Sequence, residues 1–329
     1  MSERDRTPLD ALADLLRDDM ALVGAVLRER MASEHAPRIP AVSDHLFGAG
    51  GKRIRPLLTV AAARLLGYTG DAHVKLAGAV EFIHTATLLH DDVVDDSSER
   101  RGRPTANLLW DNKSSILTGD YLFSRAFQLM VETGSLRVLD ILANASATIA
   151  EGEVLQLSAA RDVATSEAVY NVVIRGKTAA LFSAAAEAGG VVAGASIEAQ
   201  KALFDYGDAL GMAFQLVDDL LDYWGTAATG KAVGGDFREG KMTLPVILAL
   251  AKADGDERAF WTRVITGKQV EGNLADALRL MEKHGADEGT RTRALAQADR
   301  ACAALVGLPE GHLRDALHDL AGFVVARVA

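Results

Sequence analysis

Two stretches decide how this chain folds: Leu88-Leu89-His90-Asp91-Asp92-Val93-Val94-Asp95-Asp96 and Phe214-Gln215-Leu216-Val217-Asp218-Asp219-Leu220-Leu221-Asp222. In each, aspartates at i, i+1 and i+4 interrupt an apolar run. Residues four apart on a helix are neighbours on one face, so Asp91 and Asp95 make one acidic face and Asp218 and Asp222 another. Like charges so close repel and cost helix stability unless cations neutralise them. Hard carboxylate oxygens suit Mg²⁺, which binds a few carboxylates together with substrate phosphates and water. Alone, the first cluster reads equally well as a solvated acidic helix end. The recurrence inside a second apolar stretch changes that reading, because Asp is rarely buried without a partner. Two acidic faces on hydrophobic helices converge most naturally on metal ions from opposite sides of a bundle cavity.

Working outward, apolar residues recur at helical spacing almost throughout, as in Leu9, Leu12, Leu16, Met20, Val23 and Leu27, which predict one amphipathic helix. Further helices are expected near 54 to 67, 72 to 96, 106 to 132, 136 to 160, 166 to 189 and 196 to 224. Punctuation falls at Gly48-Ala49-Gly50-Gly51, Gly102-Arg103-Pro104 and Gly189-Gly190. The glycine-rich segment 225 to 240 reads as a long functional loop or as a surface connection. Residues 253 to 290 are assigned to packing. Ala, Leu and Val dominate, aromatics are 5% and prolines number only seven, so the expected fold class is all-α, a single-domain helical bundle over residues 1 to 329.

The net charge of −10 argues against broad attraction to nucleic acid. Cys302 is the only cysteine, which excludes an intrachain disulfide and a Cys-based metal site. The N-terminal residues lack the apolar stretch of a signal peptide, and no apolar run is long enough to span a bilayer; the expected compartment is the cytoplasm. An anionic substrate would then need local cations. Gly50-Gly51-Lys52-Arg53-Ile54-Arg55-Pro56 places three before a helix, an arrangement suited to phosphate oxygens, and Arg100 and Arg101 follow the first cluster closely. For the Gly50 tract alone, a solvated basic turn is the simpler account. It is not a P-loop, so an ATPase reading is weak.

At this point the sequence resembles the trans-isoprenyl diphosphate synthases, the all-helical prenyltransferases. The resemblance covers most of the chain and rests on GGKRIRP at 50 to 56, HTATLLHDDVVDDSSERRGRPT at 84 to 105, GKTAALF at 176 to 182, FQLVDDLLDY at 214 to 223 and KMTLP at 241 to 245. It implies a bundle with a central elongated cavity. It further implies that Lys52, Arg55, His84 and Arg101 bind the diphosphate of isopentenyl diphosphate, and that Arg100, Lys177, Lys231 and Lys241 bind the allylic diphosphate. Asp91, Asp95 and Asp218 match metal ligands, with Asp92, Asp219 and Asp222 in support, and three Mg²⁺ ions are implied in the substrate-bound site. Oxygens of Lys177 (backbone), Thr178 and Gln215 would face an allylic carbocation, although ordinary helix hydrogen bonding explains Thr178 and Gln215 equally well.

Ala86 and Thr87 lie one turn before Asp91, roughly 6 to 8 Å along the helix. Bulky residues there characterise short-chain members, so small ones imply a long product, C50 or C40, of which decaprenyl is the first choice, for a ubiquinone side chain. Leu122, Phe123, Leu129 and Met130 on the following helix are candidate floors, with core packing as the plain alternative. The resemblance also implies farnesyl or geranylgeranyl diphosphate as primer, a homodimer and transient membrane contact for product release. Competing readings are a shorter-chain synthase, a class I terpene cyclase, which has no need of Lys52, Arg55, His84 and Arg101, and a non-catalytic subunit of a heteromeric synthase.

Overall fold

The computed structural model describes residues 6–48, 50–225, 233–267 and 272–327. Helix α5 (Ala72–Val94) is the longest apolar element near the first aspartate cluster, and its ending is written in its own sequence. Asp95 closes the last turn by donating from its amide to the Asp91 carbonyl at 2.8 Å. Asp96 then adopts a left-handed conformation, φ 49°, and the Ser97 amide reaches back to the Asp92 carbonyl at 2.9 Å. That is a Schellman stop with Asp where Gly is usual, and the chain leaves the helix directly into a two-stranded hairpin, β1 (Glu99–Arg100) and β2 (Arg103–Pro104). Both loop residues have positive φ, Arg101 at 54° and Gly102 at 72°, the conformation that matches the right-handed twist of the two strands.

Before α5 come α1 (Pro8–Leu15), α2 (Arg17–Met31), α3 (Arg38–Gly48) and α4 (Ile54–Leu65); after the hairpin come α6 (Ala106–Leu109) and α7 (Asn112–Glu132). α7 runs antiparallel to α5. Its Ser115 hydroxyl donates to the Leu89 carbonyl at 3.0 Å, and Leu129 lies against Gly78 near the other end of α5. Leu76, Val80, Phe82, Ile83 and Leu89 of α5 are wholly buried, each burial contributing about 1.5–3 kcal/mol. The next elements are α8 (Leu136–Ala159), α9 (Glu167–Ile174), a π-helical segment (Arg175–Ala179), α10 (Ala180–Val192), α11 (Ile197–Trp224), α12 (Gly235–Glu239) and α13 (Leu244–Lys252). Helices Leu274–Lys283, Ala286–Ala304 and His312–Ala326 follow later.

Two compact units emerge. One holds Met1–Ser146, Leu181–Gly207 and Ala304–Leu320; the other holds Ala147–Ala180, Asp208–Ala303 and Ala321–Ala329. The chain passes from one to the other within α8 and within α11. Among the described residues the fold is all-α apart from the hairpin, as the spacing predicted, and no helix is long and apolar enough to cross a membrane.

Four local expectations are corrected. The first amphipathic run is two helices, broken at Leu16 (φ −115°, ψ 18°), which belongs to neither. The predicted helix over 106 to 132 is interrupted before Asp111, whose side chain caps α7 by accepting from the Ser114 amide at 2.6 Å. Gly189-Gly190 is no turn: both lie inside α10, and a Cβ at Gly189 would stand 2.5 Å from the Thr59 carbonyl oxygen of α4. The glycine is there for close helix approach. Within 225 to 240, residues 235–239 form α12, started by Gly234 at φ 79°.

Candidate active site

The first cluster sits at the last turn of α5. Asp91 and Asp95 are half-buried, whereas Asp92 is turned inward at 1% exposure. There the Arg100 guanidinium grips one carboxylate oxygen, with Nε at 2.8 Å and Nη2 at 2.7 Å from Oδ1, and Asn107 donates to the Asp92 carbonyl at 3.2 Å. The other oxygen, Oδ2, is buried with no hydrogen-bond partner. Arg100 is within reach because the stop after Val94 folds the hairpin back.

Beside it lies a basic pocket with about 340 Å³ of space between its atoms, partly open to solvent, lined among others by Gly50, Gly51, Arg53, Glu81, His84 and Arg101. Arg101, at the hairpin tip, donates to the Gly50 carbonyl, and its guanidinium occupies the space a Cβ on Gly51 would need, 2.7 Å away. Arg55, in the first turn of α4, approaches His84 Nε2 at 3.1 Å and stacks 4.5 Å from the centroid of the Phe182 ring. Burial pushes Arg55 down to about 10, with Arg101 adding repulsion and Glu81 opposing it. Burial and the same arginines hold His84 well below its usual range, so its imidazole is neutral at physiological pH. Glu81, 7% exposed, is raised by burial and eased by Arg53, Arg55 and Arg101. The pocket therefore carries more positive charge than its one buried carboxylate can relieve, and an anion seated there would relieve the rest. Lys52 is exposed beside it.

The second cluster lies in the last turns of α11. Asp218 and Asp222 are half-buried and Asp219 is inside at 2%. The Tyr170 hydroxyl of α9 donates to Asp219 Oδ2 at 2.5 Å, and the Gln215 amide donates to Oδ1 at 2.8 Å. Gln215 in turn accepts from the Thr178 hydroxyl at 2.7 Å. Burial raises the Asp219 carboxyl to about 7, against the opposing effect of those donors, and it raises the Tyr170 phenol well above its usual range. Asp222 accepts from the amides of Gly235 and Asp236, both at 3.1 Å, fastening the start of α12. Asp236 is raised well above the ordinary carboxylate range by burial and by Asp222 and Asp219, and Lys241 stands 3.9 Å from it.

Lys177 and Thr178 ride on the π segment, a wider turn often found at functional sites. Gly176 and Gly152 bring that turn against α8 backbone to backbone: a Cβ on Gly176 would meet the Thr148 carbonyl oxygen at 2.9 Å and the Gly152 Cα at 3.0 Å. The Lys177 ammonium donates to Glu153 and Gln156, each at 2.9 Å. Lys241 pairs with Glu239 at 2.5 Å. Lys231 lies outside the described residues. Sequence spacing missed Tyr170, Glu153, Gln156, Glu81 and Asp236; for Asp236 the only signal was its place just before the KMTLP motif.

Of the chain-length candidates, Ala86, Leu122, Leu129 and Met130 are buried, while Thr87 and Phe123 are partly open. Thr87 shares the Asp91 face of α5, and its hydroxyl donates to the His84 carbonyl at 2.8 Å. Among the described residues no three His, Cys, Asp or Glu side chains gather at metal-binding distance.

Residues 36–281 match the family model described as polyprenyl synthetase. The octaprenyl diphosphate synthase of Escherichia coli K12 is 46% identical over 320 residues, 97% of this chain and 99% of that protein. The crystal structure of a decaprenyl diphosphate synthase from Rhodobacter capsulatus superposes with a TM-score of 0.95 at 64% identity, covering 98% of this chain and 99% of that one. A polyprenyl synthase from Caulobacter crescentus, crystallised with calcium and isoprenyl diphosphate, gives 0.94 at 53% identity, covering 98% of each. With a family model spanning most of its length and relatives this similar end to end, the chain belongs to the polyprenyl synthetase family, and its fold is the helical bundle of the isoprenyl synthases.

Proposed function

We propose that this chain is a trans-polyprenyltransferase that condenses an allylic diphosphate, farnesyl or geranylgeranyl, with successive isopentenyl diphosphates to give a product of C40 to C50, decaprenyl diphosphate first among them, for a ubiquinone side chain. The observation that carries it is the basic pocket of Arg53, His84 and Arg101 beside the Gly50-Gly51 backbone, with Arg55 against His84, close to an acidic helix end. A terpene cyclase needs no second diphosphate site. Relatives of this length and identity that are named octaprenyl and decaprenyl synthases support the long product.

The donor set fits Mg²⁺: hard carboxylates of Asp91, Asp95 and Asp218, with Asp92, Asp219 and Asp222 held by their own partners and a buried Asp92 oxygen still unsatisfied. Mg²⁺ commonly takes only one or two carboxylates, completing its shell with water and substrate phosphate. Bound there, in the three-ion complement the resemblance implies, the metal supplies positive charge to a diphosphate leaving group. Arg100, Lys177, Lys231 and Lys241 are proposed to hold that diphosphate as the allylic C–O bond breaks, the electron pair leaving on oxygen. Lys52, Arg55, His84 and Arg101 hold isopentenyl diphosphate so that its double bond meets the cation, and the released diphosphate accepts the proton lost. Oxygens of Thr178, Gln215 and the Lys177 backbone face the cation.

The growing chain extends along α5 past Thr87 and Ala86 in an elongated cavity, with Leu122, Phe123, Leu129 and Met130 as later barriers. Residues 1–329 form one synthase domain, supported by the unbroken run of α8 and α11 from one compact unit into the other. A homodimer is supported by the apolar face of α7, where Leu117 and Val131 are each 65% exposed. The cytoplasm, with transient membrane contact for product release, suits a product this apolar.

The test is incorporation of radiolabelled isopentenyl diphosphate by the purified chain with Mg²⁺ and farnesyl diphosphate, the product resolved on a reversed-phase plate. A long prenyl product is expected. A cyclic hydrocarbon, or no incorporation by the chain alone, would favour the cyclase or the inactive-subunit reading.

A further inference from the structure

Tyr170 belongs to none of the motifs that identify the family, yet it is 3% exposed and its hydroxyl is aimed at Asp219. Two helical stretches are tied together here at two points. Tyr170 and Thr178 lie on the run from α9 into the π segment; Asp219 and Gln215 lie one turn apart on α11. With Asp219 as a carboxylate, the donor and acceptor inventory leaves one arrangement. The phenol has a single proton and donates it to Asp219 Oδ2. Oδ1 accepts from the nitrogen of the Gln215 carboxamide, so the amide oxygen must face the other way. Thr178 also has a single proton, and it goes to that oxygen. With the carboxamide reversed, its oxygen would face the carboxylate, and the threonine proton would be free to point elsewhere.

We propose that Tyr170 is a positioning residue that acts through Asp219: it fixes the direction of the Gln215 carboxamide, so that Gln215 and Thr178 turn oxygen lone pairs, and no N–H or O–H, toward the allylic carbocation. The inference rests on the transferase reading above and adds to it the source of the field at the reacting carbon. A preorganised dipole is useful only if its sign cannot flip when charge develops. Each member of this chain removes one way for it to flip. Tyr170 touches no substrate in this scheme, and its removal alters the orientation of groups that do.

The experiment compares two unreactive probes bound in the presence of Mg²⁺: a trialkylammonium analogue of the allylic group, supplied with inorganic diphosphate, and the allylic thiolodiphosphate, whose allyl group is uncharged. The ratio of their affinities, read by calorimetry, reports the field at the reacting carbon. Wild-type protein is expected to favour the ammonium probe. Tyr170→Phe should lose about tenfold of that preference, with thiolodiphosphate affinity within about twofold, and kcat should fall about tenfold while KM for isopentenyl diphosphate holds. A purely structural tyrosine would weaken both probes together, and that result overturns the proposal, as does an unchanged ratio. Should the Phe variant not fold, Thr178→Val reads the other end of the same chain: the preference must drop there and return in Thr178→Ser, and its persistence in the Val variant overturns the fixed-amide arrangement. A wild-type chain that incorporates no isopentenyl diphosphate overturns the transferase reading itself. An active wild type with an unmoved Tyr170→Phe ratio overturns this inference alone.

Discussion

In the first aspartate cluster the inward carboxylate, Asp92, is pinned by a cation eight residues further along the chain, Arg100; in the second, Asp219 is held by two neutral donors, the Tyr170 phenol and the Gln215 amide. The spacing of the acids is the same in both. What differs is the position of each cluster relative to its helix end. At the end of α5 a tight stop and a hairpin return the chain at once, so a charged partner is available locally. In the last turns of α11 the stabilising groups come from one turn earlier on the same helix and from α9. An identical sequence pattern thus yields a charge pair in one place and a hydrogen-bonded relay in the other.

The largest effects should come from the outward carboxylates, where the comparison predicts equivalence. Asp91→Ala and Asp218→Ala should each lower kcat/KM by about 10³-fold or more with little change in melting temperature, measured by steady-state incorporation and thermal unfolding. A loss confined to one cluster would break the pairing. Next in size is product length. Ala86→Phe should give a product several isoprene units shorter while turnover stays measurable, whereas Ala213→Phe, at the same offset before Asp218, should leave length alone and cost about 1–3 kcal/mol by overpacking a fully buried site. Reversed-phase chromatography and urea unfolding separate the two.

The inward carboxylates should diverge. Asp92→Asn leaves Arg100 facing a neutral group and should cost about 2 kcal/mol, less than for a wholly buried pair because Arg100 is 30% exposed. Asp219→Asn should cost less, or stabilise the chelator-treated protein at pH 8, because ionisation there is opposed by burial. The smallest effect is its pH dependence. Asp219 is raised in the folded chain from 3.8 to about 7, so between those values the folded state keeps a proton the unfolded chain has lost. Stability from this group falls as pH rises through that window and levels off above it. Urea midpoints in EDTA should therefore show wild type declining relative to Asp219→Asn from pH 4 to 7, and parallel curves would remove the contrast.

Much of this is legible in the sequence. Helix α5, the acidic faces and the basic tract follow from local periodicity and charge, because each is decided by residues within one or two turns. The break at Leu16 and the placement of Gly189 inside α10 were not legible: the first is a single residue outside helical geometry within an unbroken apolar pattern, and the second depends on the Thr59 carbonyl of another helix. Tyr170 with Asp219 and Lys177 with Glu153 are pairs 49 and 24 residues apart. Spacing within one motif carries no record of them.

The π turn at Arg175–Ala179 has one more residue per loop of backbone than the helices on either side. Such a turn behaves as a one-residue insertion absorbed into an α-helix, and it sets the phase of everything that follows. Deleting a single residue from 171 to 174 would let the α-helix close through and swing the ammonium-bearing position about 100° around the axis, away from Glu153 and Gln156. The lysine would still be present in the sequence but aimed elsewhere, so a one-residue deletion here should break its contacts to Glu153 and Gln156 without altering the lysine itself.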